Sequence, residues 1–372
     1  MLEFIPLPGL WLLFLLLGLI PAGRSLLPRQ IAVLLASLGI LFAATGWQTC
    51  AFYTALGLIA VGAGEWLQRA REGALRRTVF ALSVGGMVGV LVVYLAFRSY
   101  VQKYFVGLPS LSYLAFRGIA LLASCRARSA GGPAAGLLQM LFMPASLTGP
   151  ITRVENFMAE QRDDARILKR MAAGFAMLIG GRLANPYVLD RLAETARLAP
   201  WHYWLGAVAN SFDLYLTFAG FSHLILGLGL LVGFRLPDNF NNPYLATSIG
   251  DFWRRWHISL SFWIRDYLYI PLGGSRKGLA RKCLNLMFAM GICGAWHGLE
   301  SHYVIWGLYH GALLSIESLL SAAGWHPVTR LAGPLYRPVK IAIVFALATF
   351  GWILFRYQMF DVVVYLKGMV GR

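Results

Sequence analysis

Runs of about 20 consecutive apolar residues recur along this chain, and each, coiled as an α-helix, is long enough to cross a ~30 Å hydrocarbon core. No other feature constrains the fold as much. Candidate spans fall near residues 7–22, 27–44, 49–67, 78–97, 105–124, 134–148, 166–184, 203–232, 284–299, 303–322 and 338–356. That pattern implies roughly nine to eleven membrane crossings. Charge content agrees, since only 13% of the 372 residues are charged, against about 25% in soluble proteins. The apolar segments do not alternate with a period of two, which argues against a β-barrel. The expected fold class is therefore an all-α polytopic membrane protein with added re-entrant and interfacial helices. Leu141–Arg153, LFMPASLTGPITR, carries two prolines and a Gly-Pro step. It predicts a broken or re-entrant segment, because irregular backbone at membrane depth persists only against protein or a wet cavity.

The net charge of +17 first suggests nucleic acid, but loop asymmetry explains it better, and no nucleic-acid partner is expected. Arg24 and Arg29 occupy the first loop, the second carries no charge, and Arg69, Arg71, Arg76 and Arg77 occupy the third. By the positive-inside rule the N-terminus lies outside and the first and third loops lie inside. Arg98 and Lys103 break the alternation beyond the fourth span. The first apolar run lacks a basic stretch before it and a small-residue cleavage site after it, so it reads as a retained span. Cys50, Cys125, Cys283 and Cys293 show no CxxC spacing, so neither a disulfide framework nor a zinc site is expected. No internal repeat is visible, and the inverted-repeat signature of many transporters is missing.

Charge concentrates in one stretch, GDFWRRWHISLSFWIRDYLYIPLGGSRKG (Gly250–Gly278), with four arginines, a lysine, a histidine, three tryptophans and two aspartates. On a helical wheel at 100° per residue, Phe252, Trp256, Leu260, Trp263 and Tyr267 share one face. Arg254, His257, Ser261 and Arg265 share the other, with Asp251, Arg255 and Asp266 between. Asp251–Ile270 is thus predicted as one amphipathic helix, stopped by Pro271 and Gly273-Gly274 and followed by the basic loop Ser275–Gly278. Two readings fit. The helix lies in the interface, anchored by tryptophans and snorkelled arginines, or its polar face lines the entry of an anionic ligand. Arginine suits the second, because its planar fork holds phosphate oxygens bidentately. Coenzyme A or a phosphopantetheine arm is the obvious such ligand. Asp251 stands where a carboxylate can cap free N–H groups.

A second histidine follows in NLMFAMGICGAWHGLESHYVIWGLYHGALL (Asn285–Leu314). If Leu286–Trp296 is helical, His297 lies ~17 Å along it, near the bilayer midplane for a helix that enters directly. An ionisable residue at that depth is a functional-site hypothesis, and neutral imidazole can accept a hydroxyl proton. Two blander readings stand beside this one. His297 is a histidine hydrogen-bonded within the bundle, or it ends a short helix at the interface, since Glu300, Ser301 and His302 follow at once. Gly294 and Gly298 leave room for close approach. His302 and His310 read as structural, His202 beside Trp201 and Trp204 as an interfacial anchor, and His326 as a loop residue. No carboxylate supports a metal set.

DFWRRWHISLSFWIRDYLYIPLGGSRKG, then GAWHG and IWGLYHG, resembles the membrane-bound O-acyltransferase family. The resemblance extends to LPSLSYLAFRGI, GPITRVENF and the block Leu214–Trp253, covering roughly Leu108 to Leu320. It is similar both to the membrane component of alginate and related polysaccharide O-acetyltransferases and to the D-alanyl transfer protein for teichoic acids. The polysaccharide branch usually has an aspartate where this chain has His223, which keeps the D-alanyl branch in play. The resemblance implies a ring of helices around a central funnel, in a single membrane domain. Its parts are N-terminal helices (1–104), a catalytic core (105–322) and a C-terminal helix and tail (323–372). It maps the family's near-invariant histidine onto His297 and its second histidine onto His257. Trp253, Trp256, Asp266, Trp296 and Gly298 are motif positions beside them, and Asp251 is a structural one. Arg254, Arg265, Arg276 and Lys277 are the candidate donor-binding residues.

The function this implies is O-acyl transfer, acetyl being the favoured group. No cofactor is bound permanently. The donor is acetyl-CoA or an acyl carrier protein thioester, and the acceptor an extracytoplasmic polysaccharide or relay protein. The expected partners are membrane lipids, the donor and an extracytoplasmic transferase, and the setting is a bacterial inner membrane. Lipid acceptors stay open. The rivals are D-alanyl transfer to a cell-envelope polymer, a proton-coupled transporter, and a scaffold that recruits an outer-face enzyme.

Overall fold

The computed structural model describes residues 26–97, 111–147, 149–159, 164–183, 200–325 and 336–371. The expected span 7–22, Arg24, Arg98, Lys103, the start of the span at 105–124 and His326 lie outside these residues. All regular structure among the described residues is helical. Five of the helices are long and apolar enough to cross a membrane, and the chain is a multi-pass membrane protein.

The chain forms two compact units. The first comprises residues up to Gly174 together with Phe221–Asp238. Its longest helix, α1 (Leu26–Arg69), breaks at Gly46, where φ is +80°. Cys50 Sγ lies 3.8 Å from Leu38 O, although twelve residues of continuous helix span about 18 Å. The helix therefore folds back on itself, and its two limbs are the expected spans 27–44 and 49–67. Glycine is required at the fold because a positive φ strains any Cβ-bearing residue. Next come α2 (Ala74–Ala96) and α3 (Leu111–Arg126).

The expected span at 134–148 is not one helix. It is α4 (Pro133–Leu141), a break, and the single turn α5 (Pro144–Leu147). The break sits before Pro144, which has no N–H to continue a helix. The carbonyls it frees are met from α3. Buried Arg117 donates through Nη1 to Phe142 O at 3.3 Å and to Ser146 Oγ at 2.9 Å. Gln139 Nε2 donates to Arg117 O and Thr152 O. This is how an irregular segment survives inside a greasy unit. Helix α6 (Asp164–Leu183) covers the span expected at 166–184 but falls outside the crossing class. Within this unit Arg170 bridges Asp238 (2.6 Å) and His223 Nδ1 (3.2 Å), so His223 faces a cation already matched by a carboxylate.

The second unit comprises Phe175–Gly220 and Asn239–Arg372. It takes the end of α6 from Phe175, the first two thirds of α7 (Pro200–Leu231), then α8 (Ile249–Arg255), α9 (Ile258–Ile264), a π-helical turn at Arg265–Tyr269, α10 (Leu279–His297), α11 (Ser301–Ala322), α12 (Tyr336–Arg356) and α13 (Met359–Met369). Helices α10 and α11 form a tight hairpin. A Cβ on Gly294 would overlap the Tyr303 carbonyl, and one on Gly307 would overlap that of Met290. The span expected at 284–299 falls mostly within α10, which like α6 is outside the crossing class.

Candidate functional site

The predicted helix Asp251–Ile270 is broken in two. Its first half, α8, is capped by Ser248, whose Oγ accepts from Asp251 N at 3.0 Å. Asp251 is not the cap itself; it lies in the first turn and its carboxylate reaches back to Thr247 N at 3.2 Å and to Arg255 Nε at 3.0 Å. After Arg255 the backbone leaves the helix. Asn241 N donates to Arg255 O at 3.0 Å and Ile258 N to Asn239 O at 2.9 Å. Ser259 Oγ donates to Asn239 Oδ1 at 2.6 Å. These long-range bonds replace the i to i−4 bonds a continuous helix would make, and His257 between them takes the left-handed conformation, φ +41° and ψ 55°.

The aromatic face consequently meets protein rather than lipid. Phe252, Trp253 and Trp256 are all buried. Gly250 N donates to Glu317 near the end of α11. Phe252 stacks on His310 with centroids 6.2 Å apart, Trp253 meets Trp306 at 5.9 Å, and Trp256 meets Trp352 at 4.6 Å. Moving along α8 thus means moving along α11 away from its C-terminal end, so α8 plunges into the unit and His257 sits at its inner tip. Trp263 and Tyr267 pack on each other further on.

His257 and His297, forty residues apart in sequence, meet at one indole. The Trp296 ring lies 6.5 Å from the His257 ring and 4.4 Å from that of His297. His257 is only 3% exposed, and neither ring nitrogen has a hydrogen-bond partner. The edge of Phe218 closes one side, 4.9 Å away. His297 is the last residue of α10 and partly accessible. Trp306 (5.3 Å) and Phe355 (4.9 Å) stand edge-on to its ring. Gly298 follows, where a Cβ would run into the Glu300 carboxylate and the Tyr303 ring. His297 lies ~27 Å along α10 from Leu279.

A reachable imidazole beside a second, buried one can, in its neutral form, take a proton from a hydroxyl and hand it on. Among the described residues no group of three His, Cys, Asp or Glu side chains could hold a metal ion. His310 is fully buried in the same aromatic cluster, and His302 is buried against Tyr303. His202 stacks on Trp201, itself largely exposed. The four expected donor-binding cations are dispersed. Arg254 is exposed, with Asp251 at 3.7 Å. Arg265 lies over the Phe262 ring and pairs with Asp266. Arg276 and Lys277 are exposed in the turn before α10. Phe218, Asn239, Trp306 and Phe355 shape the site, and sequence reasoning did not single them out; only the Asn-rich run at Asn239–Asn242 offered a turn signal.

The chain matches MBOAT, the membrane-bound O-acyltransferase family, over residues 133–360. It belongs to that family. Within it, the chain is 38% identical over 232 residues to a probable alginate O-acetylase of Pseudomonas putida, a match covering 60% of this chain and 46% of the relative. It is 33% identical over 242 residues to a peptidoglycan O-acetyltransferase of Helicobacter pylori, covering 62% and 45%. It is 28% identical over 278 residues to a teichoic acid D-alanyltransferase of Bacillus subtilis, covering 66% and 67%. The chain thus matches under half the length of its O-acetylating relatives. The MBOAT match contains both histidines and the whole α8–α11 arrangement.

Proposed function

We propose that this MBOAT protein transfers an acyl group, acetyl in the first instance, from a cytoplasmic thioester to a hydroxyl of an extracytoplasmic polysaccharide or relay protein. The setting is a bacterial inner membrane, with an extracytoplasmic transferase as partner. The observation that carries this reading is the meeting of His257 and His297 at Trp296, from two separate elements, inside a family match. In the reaction, His297 accepts the hydroxyl proton as the oxygen bonds to the thioester carbon. The tetrahedral oxyanion then collapses, the carbon–sulfur bond breaks, and the thiolate takes the proton back from His297. Such base assistance contributes about 10²–10⁴-fold. His257 serves as the second polar group, orienting the thioester or supporting the oxyanion.

The test is thiol release from acetyl-CoA by the purified protein with glycan acceptors. Release that depends on acceptor and falls at least about 100-fold in His297→Ala, with folding intact, is expected. Acceptor-dependent release that survives in His297→Ala would remove it as the base. The match to teichoic acid D-alanyltransferases favours one second reading, in which the donor is a D-alanyl carrier-protein thioester. Release from that donor alone would select it. Silence with both donors would return the transporter and scaffold readings.

A further inference from the structure

A charge pair ties α7 to α12 in the second unit, and the mechanism above gives it no part. Both helices are of the crossing class. Arg356, the last residue of α12, reaches α7, where its Nη1 donates to Asn210 Oδ1 and lies 3.4 Å from Asp213 Oδ2. Asn210 is buried, and the side chains of Asp213 and Arg356 are 17% and 25% exposed. One turn further along α7, Thr217 Oγ1 donates to Asp213 Oδ1 at 3.3 Å. Ionisable groups within crossing helices are expensive and point to function. The residues beside the pair show what that function is. Phe355 precedes Arg356 and stands edge-on to His297 at 4.9 Å. Phe218 follows Thr217 and stands edge-on to His257 at 4.9 Å. One short polar network thus borders the phenylalanine on each imidazole.

We infer that Asp213 and Arg356 are positioning residues, whose pair holds the Phe355 and Phe218 edges in register and so sets His297 against His257. The inference rests on the transferase reading above, to which it adds two residues. Helix ends supply the argument. The last four carbonyls of a helix have no intrahelical donor, and the final turn frays. Phe355 stands in the final turn of α12, so its edge stays on His297 only if that turn is held. The Arg356 guanidinium holds it, and a cation at a helix C-terminus also suits the dipole. Phe218 lies well inside α7, about 7.5 Å along it from Asp213, so Asp213 is a fixed point for the wall of His257. Another polar tie joins the same two helices: Ser211 Oγ donates to Thr349 Oγ1 at 3.0 Å. Thr349 stands about two turns before Arg356, so that bond leaves the final turn free and cannot replace the charge pair.

The experiment compares full-length Arg356→Gln, Asp213→Asn and their double variant with Ser211→Ala/Thr349→Val, which cuts the other tie. Two quantities are read: thioester turnover, and the rate at which diethyl pyrocarbonate modifies His297, followed by mass spectrometry. Each single charge variant should lower kcat about 10–100-fold, as small misplacements of reacting groups do, with KM for the thioester unchanged. The double variant should lose no more than Arg356→Gln alone, because both changes remove one interaction. His297 should be modified faster in all three, since the Phe355 edge no longer covers it. Ser211→Ala/Thr349→Val should keep the wild-type kcat and modification rate. Wild-type turnover and modification in Arg356→Gln would overturn the inference. An equal loss of kcat in Ser211→Ala/Thr349→Val would overturn it too, because any tie between α7 and α12 would then serve. Faster modification of His297 in the charge variants, in a protein that consumes no thioester, would sustain the positioning role while removing the transferase reading.

Discussion

His257 carries two properties that pull apart in mutagenesis: an imidazole without a partner and a left-handed backbone. A Cβ in that conformation costs about 1–2 kcal/mol. His257→Gly should therefore unfold at a higher temperature than His257→Ala, by the equivalent of about 1 kcal/mol, while both lose activity equally. His257→Asn, which tolerates the left-handed region, should match wild-type stability. A fully active glycine variant would mean that position 257 supplies only a bend. Both histidines were legible in the sequence, because charge is rare in apolar surroundings and draws notice there. Phe218 and Phe355 were not, since one more phenylalanine in an oily helix looks like any other until its edge is seen against an imidazole.

The elements around these residues show where periodicity misleads. Residues 251–270 satisfy a helical wheel, yet the backbone leaves the helix at Trp256–His257, because Asn239 and Asn241 offer bonds from a distant segment that no local pattern contains. The break at Pro144 was legible, since proline announces it. The α10–α11 hairpin shows the same divide: Gly294 stood out for the room it leaves, but only the structure pairs it and Gly307 with facing carbonyls. Gly294→Ala should destabilise the protein by about 1–3 kcal/mol through overpacking. The shifted turn should also lower turnover, because His297 ends the displaced helix. Leu284→Ala on the same helix, where the side chain is 64% exposed, is expected to change stability by less than about 0.5 kcal/mol. Thermal unfolding in one detergent compares the two. Equal midpoints would mean that the hairpin relaxes without cost.

Across the whole chain, charge and helix length together imply a direction. The second unit gathers Arg254, Arg255, Arg276, Lys277, Arg281, Lys282, Arg337 and Lys340 at one end. His297 ends α10, whose 19 residues reach about 28 Å, and Glu300 lies just beyond it. The positive-inside rule then sets the basic end in the cytoplasm and Glu300 toward the outer face. This agrees with a donor entering from inside and an acceptor outside. Single cysteines read the arrangement directly, in a background with Cys50, Cys125, Cys283 and Cys293 replaced. Glu300→Cys should react with a membrane-impermeant maleimide on intact cells, and Lys277→Cys only once the cytoplasmic face is opened. The opposite pattern would set the basic end outside the cell. No cytoplasmic thioester could then reach it, and the acyl donor would have to be sought among extracytoplasmic compounds.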